Sequence, residues 1–232
     1  MFLKHRSNKK ELLDEENIPK KDLYENLKEL NTINYFLGGY NVSLRGFRKL
    51  IKQNRTVKTI LDIGFGGGDS IKQFIKYSKK NKQEFFIYGV DMKRDCCSYA
   101  DQNLKGYENF ELICDDYRNI KPELLKKIDL VHASLFLHHL TDTQIIELFQ
   151  FCKEHNCILL INDLHRHWLA YLSIKTLTKL FSKSYLVKND APLSVKRGFK
   201  KNELINLLNK AGYTSYSVSW SWAFRYMLIG YK

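Results

Sequence analysis

The sequence predicts an α/β fold: a doubly wound, mostly parallel seven-stranded sheet with a terminal antiparallel hairpin and an N-terminal helical cap. Three observations predict it. From Thr59 onward, short apolar runs alternate with amphipathic segments, the rhythm of parallel strands joined by right-handed helical crossovers. The last two apolar runs, YSVSW (216–220) and FRYMLIGY (224–231), stand so close in sequence that they pair as a hairpin instead. Ahead of Thr59, apolar residues recur at helical spacing.

Leu23, Leu27, Leu30 and Ile33, then Leu44, Phe47, Leu50 and Ile51, mark two helices within residues 9–53, parted at Gly38 and Gly39. The parallel strands are TILDI (59–63), FFIYGV (85–90), FELIC (110–114), LVHAS (130–134) and CILLIN (157–162). Helices are expected to begin near Ser70, Asp95, Pro122 and Thr141, the last opened by a Thr141-x-x-Gln144 capping box. Residues 167–181 read as an amphipathic helix, 182–199 as a polar loop, and 201–211 as a helix closed by Gly212. Residues 1–55 are thus expected to form the cap and 56–232 the main domain, with a lid insertion at about 164–199. No internal repeat or low-complexity segment is visible.

Composition narrows the function classes. Hydrophobic residues make up 44% of the 232, a globular composition that can enclose a substantial core. No stretch approaches the ~20 uninterrupted apolar residues of a membrane span. The start, MFLKHRSNKKELL, lacks the pattern of a secretory signal, so a cytoplasmic protein is expected. Cys96, Cys97, Cys114, Cys152 and Cys157 form no C-x-x-C pair and lie at no zinc-ligand spacing from a histidine, so no metal is expected. The formal charge of +13 invites nucleic acid, an anionic membrane surface or an acidic substrate. The lysines are dispersed, however, and their one local run (Lys72, Lys76, Lys79, Lys80, Lys82) reads foremost as a solvated helical face.

Chemistry concentrates at the strand tips. In Ile60-Leu61-Asp62-Ile63-Gly64-Phe65-Gly66-Gly67-Gly68-Asp69-Ser70 a buried strand runs through glycines into a helix that Asp69 or Ser70 would cap. Glycines let the backbone turn sharply and approach a ligand with no Cβ in the way. A nicotinamide-dinucleotide fingerprint needs a third glycine where Asp69 stands, and a carboxylate there suits a cationic ligand better than a pyrophosphate. Asp91, at the tip of the second strand, is placed either to accept both hydroxyls of a ribose or to cap the next helix. Asp116, followed by Tyr117, offers an acceptor and an aromatic cover for an adenine, or is a polar turn.

Together these tips resemble the class I S-adenosylmethionine-dependent methyltransferases, over about residues 58 to 232. LDIGFGGG, Asp91 and Asp116 stand in that family's order and spacing, and DLVHASLFLHHL and the closing hairpin fit it too. The resemblance implies a Rossmann-like fold with S-adenosyl-L-methionine as cofactor. It implies that the backbone around Gly64, Gly66 and Ala133 holds the methionine moiety, with Asp62 in the same turn, and that Phe65, Met92 and Tyr117 pack around ribose and adenine. The pattern is closest to enzymes of small molecules, including quinone, polyketide and sugar tailoring. LGGYNVSLRGFR resembles the cap of that group, where Arg45 either pairs with the methionine carboxylate or is an exposed helix arginine.

Methyl transfer requires alignment of the acceptor and, for a hydroxyl, removal of its proton. His138 and His139 follow the fourth strand at the carboxyl edge of the sheet, and Asp163 leaves the fifth strand nearby. The resemblance implies that one of the two histidines is the base and Asp163 its partner; in the other reading both histidines are structural. The prolyl-aromatic signature of amino-group methylation is replaced by His132-Ala133-Ser134-Leu135, which weakens N-methylation; O-methylation is the expected reaction, with C-methylation open. The apolar content of 164–199 favours a small aromatic or lipid-like acceptor. Two other readings stay open: an RNA methyltransferase, suggested by charge but lacking a recognisable RNA-binding module, and a non-catalytic nucleotide-binding module. Peripheral membrane contact and the oligomeric state are open at this stage.

Overall fold

The computed structural model describes residues 3–15 and 17–231. Residues 1, 2, 16 and 232 of the expected domain bounds lie outside the described residues. In chain order the elements are α1 (Lys20–Phe36), α2 (Gly39–Lys52), β1 (Thr59–Ile63), α3 (Asp69–Asn81), β2 (Phe86–Val90), α4 (Arg94–Asn103), β3 (Phe110–Ile113), α5 (Pro122–Leu125), β4 (Leu130–Ser134), α6 (Asp142–Glu154), β5 (Ile158–Leu164), α7 (Trp168–Phe181), α8 (Tyr185–Arg197), α9 (Lys201–Lys210), β6 (Tyr216–Ser221) and β7 (Arg225–Gly230). The sheet runs β3-β2-β1-β4-β5-β7-β6, parallel up to β5 and antiparallel through the closing hairpin.

Side-chain alternation along the strands feeds two cores. Leu61, Ile63, Val131 and Leu159 pack with Ile145, Leu148 and Leu208 of α6 and α9. Ile60, Leu130, Leu160 and Met227 pack on the other face with Phe47, Leu50, Ile71 and Phe74 of α2 and α3. Each such fully buried side chain contributes about 1.5–3 kcal/mol. Gly46 lets α2 lie close on the sheet: a Cβ there would collide with the Leu160 side chain and meet Met227 Sδ at 3.0 Å. The Thr141 capping box forms as expected, and Gly212 ends α9 at φ 81°.

Three local expectations differ from the structure. Residues 182–199 are mostly the helix α8, not a loop, and Pro192 lies inside it. An interior proline removes a hydrogen bond and crowds the preceding turn, at about 3 kcal/mol. The burial of Leu186, Val187 and Val195 offsets this, as do two anchors: Asp190 accepts from Leu12 N at 2.9 Å and Leu13 N at 2.8 Å, and Arg197 donates to His138 O at 2.8 Å. The strand β5 extends to Leu164, so Asp163 sits within it, opposite Tyr226. The N-cap of α3 is Gly68, at φ 75°, which places Asp69 in the first turn and not at the cap.

Candidate functional site

A cavity of about 470 Å³ opens at the carboxyl ends of β1, β2 and β4, covered by α1. Its floor is the glycine turn. Gly64 (φ 68°) and Gly66 (φ 53°) adopt the left-handed region, which residues with a Cβ avoid. A Cβ on Gly64 would collide with the Phe136 ring. Phe65 is buried beside them and still lines the cavity.

Asp91 ties the turn to the second strand: its Oδ2 accepts from Gly66 N at 2.9 Å and its Oδ1 from Lys93 N at 2.9 Å. Burial pushes its carboxyl above the ordinary range. Met92 stands at the rim, 69% exposed. Asp116 also lines the cavity, but Arg118 forks onto it, with Nε at 3.0 Å from Oδ1 and Nη2 at 2.5 Å from Oδ2; that pairing holds its carboxyl low. Its neighbour Asp115, which also lines the cavity, accepts from Asn119 Nδ2 at 2.8 Å. Tyr117 packs edge-on against Phe136 and Phe151, and burial pushes its hydroxyl up to about 12.

Beneath the turn lies a polar chain not expected from the sequence. Asp62 Oδ1 is 2.6 Å from His132 Nδ1, and His132 Nε2 is 2.8 Å from Ser43 Oγ on α2. Asn162 Nδ2 donates to Gly39 O at 2.9 Å. Asp62 Oδ2 is buried with no hydrogen-bond partner, and Asp62 lines the cavity.

Ala133 is itself buried within β4, and its neighbours Ser134 and Leu135 line the cavity. Arg45 is a correction: it lies on the far side of α2, where Nη2 donates to Ser221 Oγ at 2.5 Å, and it lines no part of the cavity. The cavity's α1 wall is instead Leu27, Leu30, Asn31 and Asn34.

The paired histidines divide. His138 is buried, with Nδ1 2.8 Å from Asp163 Oδ1; neither residue lines the cavity. Although burial alone would raise it, His138 holds the Asp163 carboxyl below its ordinary range. His139 does line the cavity, and its Nδ1 is 2.7 Å from Oδ1 of Asp14, not of Asp163. Asp14 and Glu11 arrive on an N-terminal strap, far away in sequence, so no local pattern could assign them. Glu11 is 3% exposed, and burial pushes its carboxyl up to about 7. Residues 164–199, expected as a lid, contribute no lining residue; α8 packs on α1, and α7 on α8.

The electrostatics of the cavity oppose those of the chain. Six aspartates line it (Asp14, Asp62, Asp69, Asp91, Asp115, Asp116) against two cations, Lys93 and Arg118, in a protein of net charge +13.

Residues 60–155 match the family described as a methyltransferase domain. Solved structures share the fold at low identity. The plantazolicin methyltransferase BpumL, solved with SAH, is 18% identical, covering 92% of this chain and 89% of its own, at a TM-score of 0.63. An SAM-dependent methyltransferase from Aquifex aeolicus is 16% identical, with coverage of 92% and 98% and a TM-score of 0.60. The magnesium protoporphyrin IX methyltransferase from Synechocystis, with bound SAH, is 13% identical over 84% and 83%, at a TM-score of 0.53. None of the curated proteins matches the sequence. Sheet order, closing hairpin and glycine turn define the fold as the class I methyltransferase one. Residues 60–155 carry the match to a methyltransferase domain, within a fold shared with these solved methyltransferases. No helix among the described residues is long and apolar enough to cross a membrane.

Proposed function

We propose that this protein transfers the methyl group of S-adenosylmethionine to a hydroxyl of a small aromatic or lipid-like acceptor. The acid-lined cavity is the observation that carries the reading. S-adenosylmethionine bears a sulfonium and an ammonium, and six aspartates around a cavity in a basic protein suit that charge. Asp62 Oδ2, buried without a partner, suits the ammonium, and Asp91 the ribose hydroxyls. The same acids disfavour a phosphate backbone at the cavity, which weighs against the RNA reading.

When bound, S-adenosylmethionine supplies a methyl carbon activated by the sulfonium. The chain's own residues must hold the acceptor in line behind it and keep water out. Leu13, Leu27, Leu30 and Leu140 give the side toward α1 an apolar wall, which favours an aromatic or lipid-like acceptor. His139, backed by Asp14, is the side chain placed to meet the acceptor hydroxyl, with His138 and Asp163 behind it. In this reading residues 1–55 cap the site, through α1 and the strap. Cys96, Cys97, Cys114 and Cys152 carry free thiols, which supports a reducing, cytoplasmic setting. BpumL and the protoporphyrin enzyme are similar proteins named for small or natural-product acceptors, which supports the same class here.

The test is calorimetry with S-adenosylmethionine and its demethylated product, followed by transfer of labelled methyl to phenolic and long-chain hydroxyl compounds and to total RNA. Micromolar binding and labelling of a small molecule are expected. His139→Ala should keep cofactor affinity and lower turnover about 10²–10⁴-fold, the range for losing the group that handles the acceptor's proton. Absence of cofactor binding, or labelling of RNA alone, overturns the reading.

A further inference from the structure

We propose that Glu11, His138 and His139 form a site for one divalent transition-metal ion of borderline softness, such as zinc, in the wall of the cofactor cavity. The cysteine and histidine spacings along the chain point to no metal, because this ligand set exists only once the strap folds onto the loop after β4. His138 Nε2 lies 3.7 Å from Glu11 Oε1, and His139 Nε2 lies 3.9 Å from Glu11 Oε2. One ligand atom from each of the three residues falls within 4.8 Å of the others. Both separations are too long for hydrogen bonds. Each exceeds the edge of a tetrahedral zinc site, about 3.3–3.5 Å for ligands 2.0–2.1 Å from the ion, by a few tenths of an ångström. Because they run to different oxygens of Glu11, the carboxylate would turn to bring one oxygen to both histidines.

Three further observations point to an ion. First, both imidazoles are oriented as metal ligands are. Asp163 takes the Nδ1 side of His138 at 2.8 Å and Asp14 that of His139 at 2.7 Å, which turns both Nε2 lone pairs toward Glu11. Second, Glu11 is 97% buried by its 3% exposure, and its Oε1, aimed between the histidines and Arg197, accepts no hydrogen bond. A buried carboxylate oxygen without a partner is costly unless something absent from the chain completes it. Third, two carboxylates share one guanidinium: Arg197 stands 3.7 Å from Glu11 Oε1 and 3.4 Å from Asp14 Oδ2, whereas Asp163 is also faced by the buried Arg225 and by Arg6. A dication would add positive charge on the Glu11 and Asp14 side.

Two imidazoles and one carboxylate leave a fourth position for water or substrate. Of the three ligands only His139 lines the cavity, so that position is reached from the acceptor side. On the methyltransferase reading, the ion would hold an oxygen of the acceptor there, which makes a hydroxylated or carboxylated acceptor the expected class. The ion would also fasten the strap, which otherwise hangs on Asp190, Arg6, Arg166 and Arg197.

The experiment titrates chelator-treated, full-length protein with Co²⁺ as a spectroscopic probe and then with Zn²⁺. One Co²⁺ per chain, with the intense visible bands of a four-coordinate site and displacement by Zn²⁺, is expected. Glu11→Gln and His139→Ala should abolish this stoichiometric binding, and Asp163→Asn should weaken it about 10–100-fold. Circular dichroism shows whether each variant is folded. Tryptic cleavage after Lys9 and Lys10 should slow on adding Zn²⁺ to the wild type and stay unchanged in Glu11→Gln. Absence of one-to-one binding by the wild type, or binding equal to wild type in folded Glu11→Gln and His139→Ala, overturns the site. Calorimetry with S-adenosylhomocysteine in chelator separates the two readings: cofactor binding without Co²⁺ binding refutes the ion alone, and Co²⁺ binding without cofactor binding refutes the cofactor assignment alone.

Discussion

Asp91→Asn isolates the charge at the tip of β2. In the wild type each carboxylate oxygen already accepts one backbone N–H, Gly66 at one and Lys93 at the other, both at 2.9 Å. Each oxygen keeps a second lone pair, and Asp91 lines the cavity. The amide is isosteric, but one of its two ends becomes a donor. That end must confront a backbone N–H and can accept nothing from a ligand hydroxyl. A hydrogen bond to a charged acceptor contributes about 1.5–3 kcal/mol, so S-adenosylhomocysteine should bind roughly 10–150-fold more weakly. The free protein should barely change in stability, because two effects oppose. The variant loses a backbone anchor worth about 1 kcal/mol, but it no longer buries a charge whose cost already raises the wild-type carboxyl. Affinity of the wild type should therefore decline toward acid as Asp91 takes a proton, and that of the variant should decline less, through the remaining acids of the cavity. Calorimetry across pH, beside urea unfolding of the free proteins, reads both quantities. Wild-type affinity in a folded Asp91→Asn would refute the assignment of the ribose site.

Two further outcomes are expected. Arg45→Ala should leave cofactor affinity unchanged and lower stability by about 0.5–1.5 kcal/mol, the worth of the bond to Ser221 on β6; a tenfold weaker cofactor in calorimetry would return Arg45 to the site. His165 is held down to about 4 by burial and by His167, Arg166 and Lys200, so its neutral form stabilises the fold above the unfolded value near 6.5, and that contribution is lost as pH falls toward 4. Partial exposure discounts it to about 1 kcal/mol, and His165→Gln should flatten the acid limb of the urea-unfolding profile by that amount, whereas an unchanged limb contradicts the assignment.

What was legible in the sequence was local in its physics. The strands β1 and β4 were readable to the residue, because apolar runs bounded by turns carry their own limits. Thr141 and Gly212 mark helix ends through bonds made within a few residues. The α8 helix was hidden because Pro192 and its polar neighbours argue locally against it, whereas its support is distant: Asp190 holds backbone near residue 12, and Arg197 holds the carbonyl of His138. Arg45 failed for a related reason. Its place in the cap motif was readable, but which face of α2 meets the sheet is decided by Phe47 and Leu50, and that turns Arg45 toward β6. Similarly, the pairing of His138 with Asp163 follows from adjacent strand tips, but the partner of His139 comes from a strap 125 residues earlier.

The polar chain beneath the glycine turn shows how the cap and the cofactor cavity become one construction. Asp62, His132, Ser43 and Asn162 are each at most 3% exposed. Apolar residues of similar volume would fill that space at lower cost in desolvation, so the chain is not explained by stability alone. Its members instead sit on β1, β4, α2 and β5, and each bond has a direction that apolar contact lacks. A slide of α2 along the sheet would leave the apolar face covered but would break the bonds of Ser43 to His132 and of Asn162 to Gly39 O. Unpaired buried groups would then cost about 1–3 kcal/mol each. Gly39 and Tyr40 begin α2, and Tyr40 lines the cavity. The register that fixes them also fixes where α1 crosses above the glycine turn. Asp62 stands at the junction, one oxygen on His132 and the other without a partner in the cavity floor. A cation bound to that second oxygen therefore meets a carboxylate already oriented from behind, with no reorganisation required when it arrives.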